Sequence, residues 1–287
     1  MKRASAIAPW FFILIWSSGF VVAKYAFQSA DPLFFLAIRL LIATTILFFL
    51  TLLLRQPVKL AKMDIAASLA IGICLNGFYL AGVWYAIALG APAGLSSVIT
   101  SMQPVLVSLL AVQFLGETIS GRQRIGLFVG LAGVLLVVLP KLAHSNGFTI
   151  ESLAFLVLGL LGSTAATLLQ KRIGHSIPLM MGTTYQFLVA ALILFVISIA
   201  LGKTHFQITS TAIWSMAWAV LVTSIAAVLL LLWLLNQGSA AKVSSLLYLV
   251  PPMAVLQALV LFNEKVNAQE IIGIAMTALG VALVLRG

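Results

Sequence analysis

Ten continuous apolar runs constrain this chain more than any other feature. They fall at residues 7–27, 33–54, 65–89, 92–115, 123–140, 151–170, 178–201, 211–235, 239–262 and 269–286. Each is close to the ~20 residues an α-helix needs to cross a bilayer core. In hydrocarbon only helices and closed barrels satisfy their own backbone polar groups. Barrel strands alternate in polarity over about ten residues, whereas these runs are long and unbroken. The expected fold is therefore an all-α polytopic membrane protein of ten transmembrane helices. The breaks carry turn chemistry, as at Asp31-Pro32, Gln56-Pro57, Gly90-Ala91-Pro92, Gly202 and Gly238. Between them little is left over: 63% of residues are hydrophobic and 8% charged, where a soluble domain has about a quarter charged. Lys2-Arg3 ahead of Ile7–Val22 has the look of a signal peptide. Its apolar stretch is too long, however, and Lys24 stands where a cleavage site needs small residues. It reads as the first membrane helix, with no separate targeting segment expected before it.

The runs are duplicated. GAPAGLSSVITSMQP (Gly90–Pro104) returns as GSAAKVSSLLYLVPP (Gly238–Pro252), and each copy leads to an acid, Glu117 or Glu264. RIGLFVGLAGVLLVVL from Arg124 returns as IIGIAMTALGVALVL from Ile271, which sets Gly126 on Gly273 and Gly133 on Gly280. A shift of 147 also sets Lys24 on Lys171 and Arg39 on Gln186. The expected units are 1–147 and 148–287. Five helices per unit is an odd number, so the second unit enters from the opposite side and the repeat is inverted. Such repeats place a substrate site near the midplane at their interface.

The net charge of +10 does not point to nucleic acid, because no basic cluster is interleaved with aromatics. The charges instead orient the chain. An even helix count puts both termini on one side, together with eleven Lys and Arg (residues 2, 3, 55, 59, 62, 122, 124, 171, 172, 242 and 286); the other side has four, Lys24, Lys141, Lys203 and Lys265. Both termini are expected in the cytoplasm, with the bilayer a bacterial inner membrane and the chain a monomer. Cys74 lies within an apolar run and reads as a helix-packing residue.

Intramembrane polar residues are costly unless they face a cavity or a partner, which makes them the default site candidates. The first half supplies Trp16, Ser17, Asn76, Tyr79, Ser97, Thr100 and Gln103; the second supplies Ser163, Thr164, Thr223, Ser224, Ser245 and Tyr248. The isolated serines fit helix–helix bonding better; the larger tips of Asn76, Tyr79, Gln103 and Tyr248 fit a cavity better. Trp16 either walls a cavity or packs against a neighbour. Trp10, Trp214 and Trp218 lie near helix ends and read as interfacial belt residues. Gly126-x-x-x-Gly130 reads as a close-packing motif. Arg39, the one clear charge inside a span, is expected to play a structural role, and Pro104 and Pro252 to act as hinges.

IWSSGFVVAK in the first helix, FFLAIRLLIA in the second, ALGAPAGLSSVITSMQPVLVSLLAVQFLGE and GLAGVLLV together resemble the EamA branch of the drug/metabolite transporter superfamily. The resemblance covers essentially the whole chain. Within that branch the chain is most similar to amino-acid and metabolite exporters, including the YddG-type aromatic amino-acid exporters. The resemblance implies ten helices in a five-plus-five inverted repeat and a carrier for a small-molecule substrate.

Other classes lack their chemistry. The three histidines fall in loops without metal-ligand spacing, and neither a Gly-x-Ser-x-Gly elbow nor a His-Glu-x-x-His motif occurs; no enzyme activity, metal or cofactor is expected. A sugar-phosphate or nucleotide-sugar exchanger needs paired Lys or Arg within the cavity; Lys171, Arg172 and Lys242 are available near helix ends, which keeps this as the second reading. A proton-coupled drug pump needs a mid-membrane acid. The leading expectation is an exporter of small metabolites, amino acids first, working by alternating access and facilitated diffusion.

Overall fold

The computed structural model describes residues 2–115, 120–143, 148–173, 177–237, 249–263 and 266–285. The apolar runs form α1 (Lys2–Ala26), α2 (Pro32–Leu53), α3 (Lys62–Ala88), α4 (Ala93–Thr100), α5 (Gln103–Leu115), α6 (Gly121–Ala143), α7 (Ile150–Ile173), α8 (Leu179–Ala200), α9 (residues 210–237), α10 (Val250–Phe262) and α11 (Ala268–Leu285). Eight spans are long and apolar enough to cross a membrane, α4 and α5 together making one of them; α10 and α11 are shorter apolar helices. The protein is an integral membrane protein of ten apolar segments. Its surface agrees, since Phe49, Phe128, Ile213 and Val260 are among many large apolar side chains turned outward, a cost in water and none in lipid.

Local sequence sets the helix ends. Pro32 occupies the first turn of α2, where its missing N–H costs nothing. Ser120 and Gln123 form a reciprocal capping box at the start of α6, the Gln123 amide donating to Ser120 Oγ and the Ser120 amide to Gln123 Oε1. Thr209 accepts from the Ala212 amide at the start of α9. At the close of α3, Gly90 takes φ = 100°, a conformation that L side chains rarely adopt.

The two halves pack as an inverted repeat. α2 lies along α8 and α6 along α11, each beside its own repeat equivalent. Other contacts include exchanged pairs, α3 on α7 as α9 on α1, and α3 on α8 as α9 on α2. The α6–α11 crossing shows the pseudo-twofold at atomic level. A Cβ built on Gly133 would meet the Gly273 carbonyl at 2.6 Å, and one built on Gly280 would meet the Gly126 carbonyl, also at 2.6 Å. Gly126 and Gly133 are the repeat equivalents of Gly273 and Gly280, so the same contact is made twice. Gly126-x-x-x-Gly130 thus meets Gly280, and its copy, Gly273 with Thr277, meets Gly133.

Of two further features, the π-segments were not legible in the sequence, whereas a bend near Pro104 was expected from it. α3 is a π-helix over Ile73–Leu80 and α9 over Trp218–Ala226, matching positions in the two repeats. The fourth apolar run is also broken, α4 stopping at Thr100 and α5 starting at Gln103. Pro104 accounts for the break: its ring clashes with the carbonyl four residues earlier, which is that of Thr100. Pro252 lies in the first turn of α10.

Candidate functional site

Between the halves lies a cavity of about 450 Å³ lined by α1, α2 and α3 from the first repeat and α7, α8 and α9 from the second. Its walls are mainly apolar, with Trp16, Phe20, Leu75, Phe187 and Val228 prominent. Polar groups enter at few points: Arg39, Asn76, Tyr79, Thr167, Gln170, Thr183, Gln186, Thr223 and Ser224. A few fixed polar groups in an apolar cleft of this size is the usual make-up of a small-molecule site.

Arg39, expected to play a structural role, lines the cavity, 4% exposed, and ties α2 to α9. Its Nε donates to Ser224 Oγ at 3.2 Å, and its Nη2 donates to Thr223 Oγ1 at 2.9 Å and to Ser224 Oγ at 3.2 Å. The π-segment of α9 supports those acceptors, because both hydroxyls donate onward to the Ala219 carbonyl, at 2.8 Å and 3.0 Å. The guanidinium also lies over the Trp84 ring, 5.0 Å from its centroid. The third nitrogen, Nη1, is buried without a partner. Asn76, in the π-segment of α3, is 5% exposed, and its Nδ2 is likewise buried without a partner.

Of the residues singled out from sequence, Trp16, Asn76, Tyr79, Thr223 and Ser224 line the cavity. Ser17, Ser97, Thr100, Gln103, Ser163 and Thr164 are not among the described residues that line it. Their hydroxyls bond within their own helices, Ser17 to the Leu14 carbonyl, Ser97 to Gly94, Thr100 to Ser96, and both Ser163 and Thr164 to Leu160. Thr100 stands directly behind the wall, where its side chain meets the Tyr79 hydroxyl. Gln103 ties α5 to α7, donating to the Ser163 carbonyl and to Thr167 Oγ1. Ser245 and Tyr248 lie outside the described residues. The sequence reading passed over Arg39 and Gln186 as site residues, although their equivalence under the 147-residue shift was a usable signal.

One end of the cavity is closed. Trp84 forms its wall there and packs edge-on against Phe27 and face-on against Phe35, which in turn stacks on Phe206. Over this aromatic plug the α1–α2 and α8–α9 loops clasp each other. Ala30 and Phe206 form an antiparallel bridge, the Asp31 amide donates to the His205 carbonyl at 2.9 Å, and the His205 amide donates to Asp31 Oδ2 at 2.8 Å. Ser29 and Thr209 share a hydroxyl bond at 2.7 Å. Beside them Lys203 donates to the Tyr85 hydroxyl at 2.9 Å, a bond that holds the exposed ammonium pKa above its ordinary value. The contact is therefore kept through the neutral range and lost only in strong alkali. The other end runs to Gln170 in the last turn of α7 and Leu179 at the start of α8. That end carries Arg55 and Lys59 in the α2–α3 loop and Lys171 and Arg172 in the last turn of α7.

Residues 7–139 and 151–286 each match the EamA-like transporter family. The chain belongs to that family. As a member, it is a membrane transporter acting on a small-molecule substrate rather than an enzyme. Among its relatives is a protein of Escherichia coli (strain K12) named a probable amino-acid metabolite efflux pump, 26% identical over 98% of this chain and 94% of that protein. A second is an S-adenosylmethionine/S-adenosylhomocysteine transporter of Chlamydia trachomatis, 30% identical over 44% of this chain and 38% of that protein. A solved crystal structure shares the fold with a TM-score of 0.66 at 17% identity, covering 98% of this chain and 96% of the other.

Proposed function

We propose that this family member exports small amino-acid-like metabolites by alternating access across a bacterial inner membrane, with both termini in the cytoplasm. The observation that carries the reading is the cavity itself. It is single-metabolite in size, sits between the inverted halves, draws its lining from both, and is closed at one end by a clasp of loops. The end away from the clasp lies on the Lys- and Arg-rich side, which the positive-inside rule assigns to the cytoplasm. Efflux-pump relatives at about a quarter identity support the substrate class. The described lining residues include no Asp, Glu or His for proton coupling. Flow then follows the substrate gradient, which suits export of a metabolite abundant inside the cell. Purified protein in liposomes should catalyse counterflow of labelled amino acids, and an imposed pH gradient should not concentrate a neutral zwitterion. Accumulation driven by that gradient and abolished by a protonophore would refute the uncoupled mechanism; absence of flux for every amino acid would refute the substrate class.

A further inference from the structure

The geometry points to Arg39 as the anchor for a single carboxylate on the transported molecule. This inference rests on the carrier reading above and narrows it to monocarboxylate-bearing substrates.

A guanidinium buried in an apolar bilayer core is costly unless its charge and its donors are matched. Here the match is incomplete in two ways. Three of its hydrogen bonds go to the neutral hydroxyls of Thr223 and Ser224, which leave the charge uncompensated. Nη1 has no partner at all. Among the described lining residues Arg39 is the one charged side chain. The arrangement resembles a held hook: Thr223, Ser224 and the Trp84 face fix the guanidinium plane, and the free nitrogen remains for an acceptor brought by the ligand. An anion is the ligand group that supplies both missing parts, and charge-assisted bonds of this kind are about twice as strong as neutral ones.

The charge balance selects the type of anion. One fixed cation neutralises one carboxylate, whereas a phosphate ester carries up to two charges and is normally met by paired cations. Asn76 Nδ2 is a second unpartnered donor in the same cavity. It sits on the π-segment of α3, eight residues before Trp84, and offers a donor to a second polar group of the substrate.

The test compares L-amino acids with their carboxamides and their 2-oxo acids, measuring affinity for the purified full chain by thermal stabilisation and by competition. The acid should bind at least about tenfold tighter than the amide, the size expected for one charge-assisted bond. Arg39→Gln should weaken the acid by about tenfold to a hundredfold and leave the amide nearly unchanged. Should Arg39→Gln fail to fold, Arg39→Lys keeps the charge but lacks the planar fork, and its acid-to-amide ratio should fall by about threefold or more. That ratio is independent of the fraction of active protein. Equal binding of acid and amide by the unaltered protein overturns the inference and leaves the amino-acid carrier intact. Binding of 2-oxo acids without amino acids upholds the carboxylate anchor and overturns the amino-acid reading. Binding of none of these, or of glucose 6-phosphate instead, overturns both.

Discussion

Replacing Gly280 by Ala tests the close crossing of α6 and α11. A Cβ there would fall 2.6 Å from the Gly126 carbonyl oxygen, and Gly130 N and Cα lie within the same reach. Ordinary contacts sit near 3.4 Å, and the shortest approach, to Gly130 N, is 2.3 Å, so α6 and α11 must separate by about 1.1 Å. No relief is available from a rotamer change, because the atoms met are backbone. Overpacking of this kind costs about 1–3 kcal/mol. Between membrane helices little hydrophobic force restores the contact, since lipid tails are as apolar as the helix surface. At about 2–4 °C per kcal/mol, the apparent melting temperature in detergent should fall by roughly 2–12 °C. Gly121→Ala is the control, because nothing lies within 4 Å of its added methyl. Gly133→Ala should resemble Gly280→Ala, as it meets Gly273 and Thr277 across the pseudo-twofold axis. The double variant should lose less than the sum, because the first substitution has already parted the helices. Size-exclusion chromatography after a temperature series reads all four proteins. A Gly280→Ala protein as stable as Gly121→Ala would refute the close crossing.

Cysteines in place of Ala30 and Phe206 should form a disulfide, since bridged antiparallel residues lie at suitable Cα separations of about 4.5–5.5 Å. Oxidation should stop counterflow while retaining ligand binding, and reduction should restore it; full flux through the cross-linked protein would remove the clasp from the cycle. Tyr79→Ala should lower transport severalfold at unchanged membrane expression, because it takes a polar tip and its Thr100 contact from the wall; labelled uptake normalised to protein reads it. Pro104→Ala should slow turnover more than it weakens affinity if the α4–α5 break is a hinge, and unchanged turnover with weaker binding would count against that role. A single cysteine at Ser145 should react with an impermeant reagent in intact cells, whereas labelling only after permeabilisation would reverse the orientation.

The apolar runs alone determined the helical membrane fold, because every backbone polar group in hydrocarbon has to be satisfied within its own segment. The named breaks rest on Pro or Gly, and the described helix ends follow such punctuation, as Pro32 and Gly90 show. The duplication was equally legible, since inverted halves that meet across a pseudo-twofold axis repeat the same glycines at the same spacing, and Gly133 on Gly273 is the consequence. The site was legible only in part. Polar residue type marked Asn76, Tyr79, Thr223 and Ser224, but it could not separate them from Ser97 or Thr164, whose hydroxyls bond back to their own helices. That choice depends on helix rotation, which neighbours set and the chain's own pattern does not. The π-segments of α3 and α9 carry no signature in an apolar run, yet they place Asn76, Thr223 and Ser224 at the cavity. Arg39 read as a structural charge until packing brought α9 against α2. Only tertiary structure decided that two hydroxyls hold part of its guanidinium while one nitrogen is left for something else.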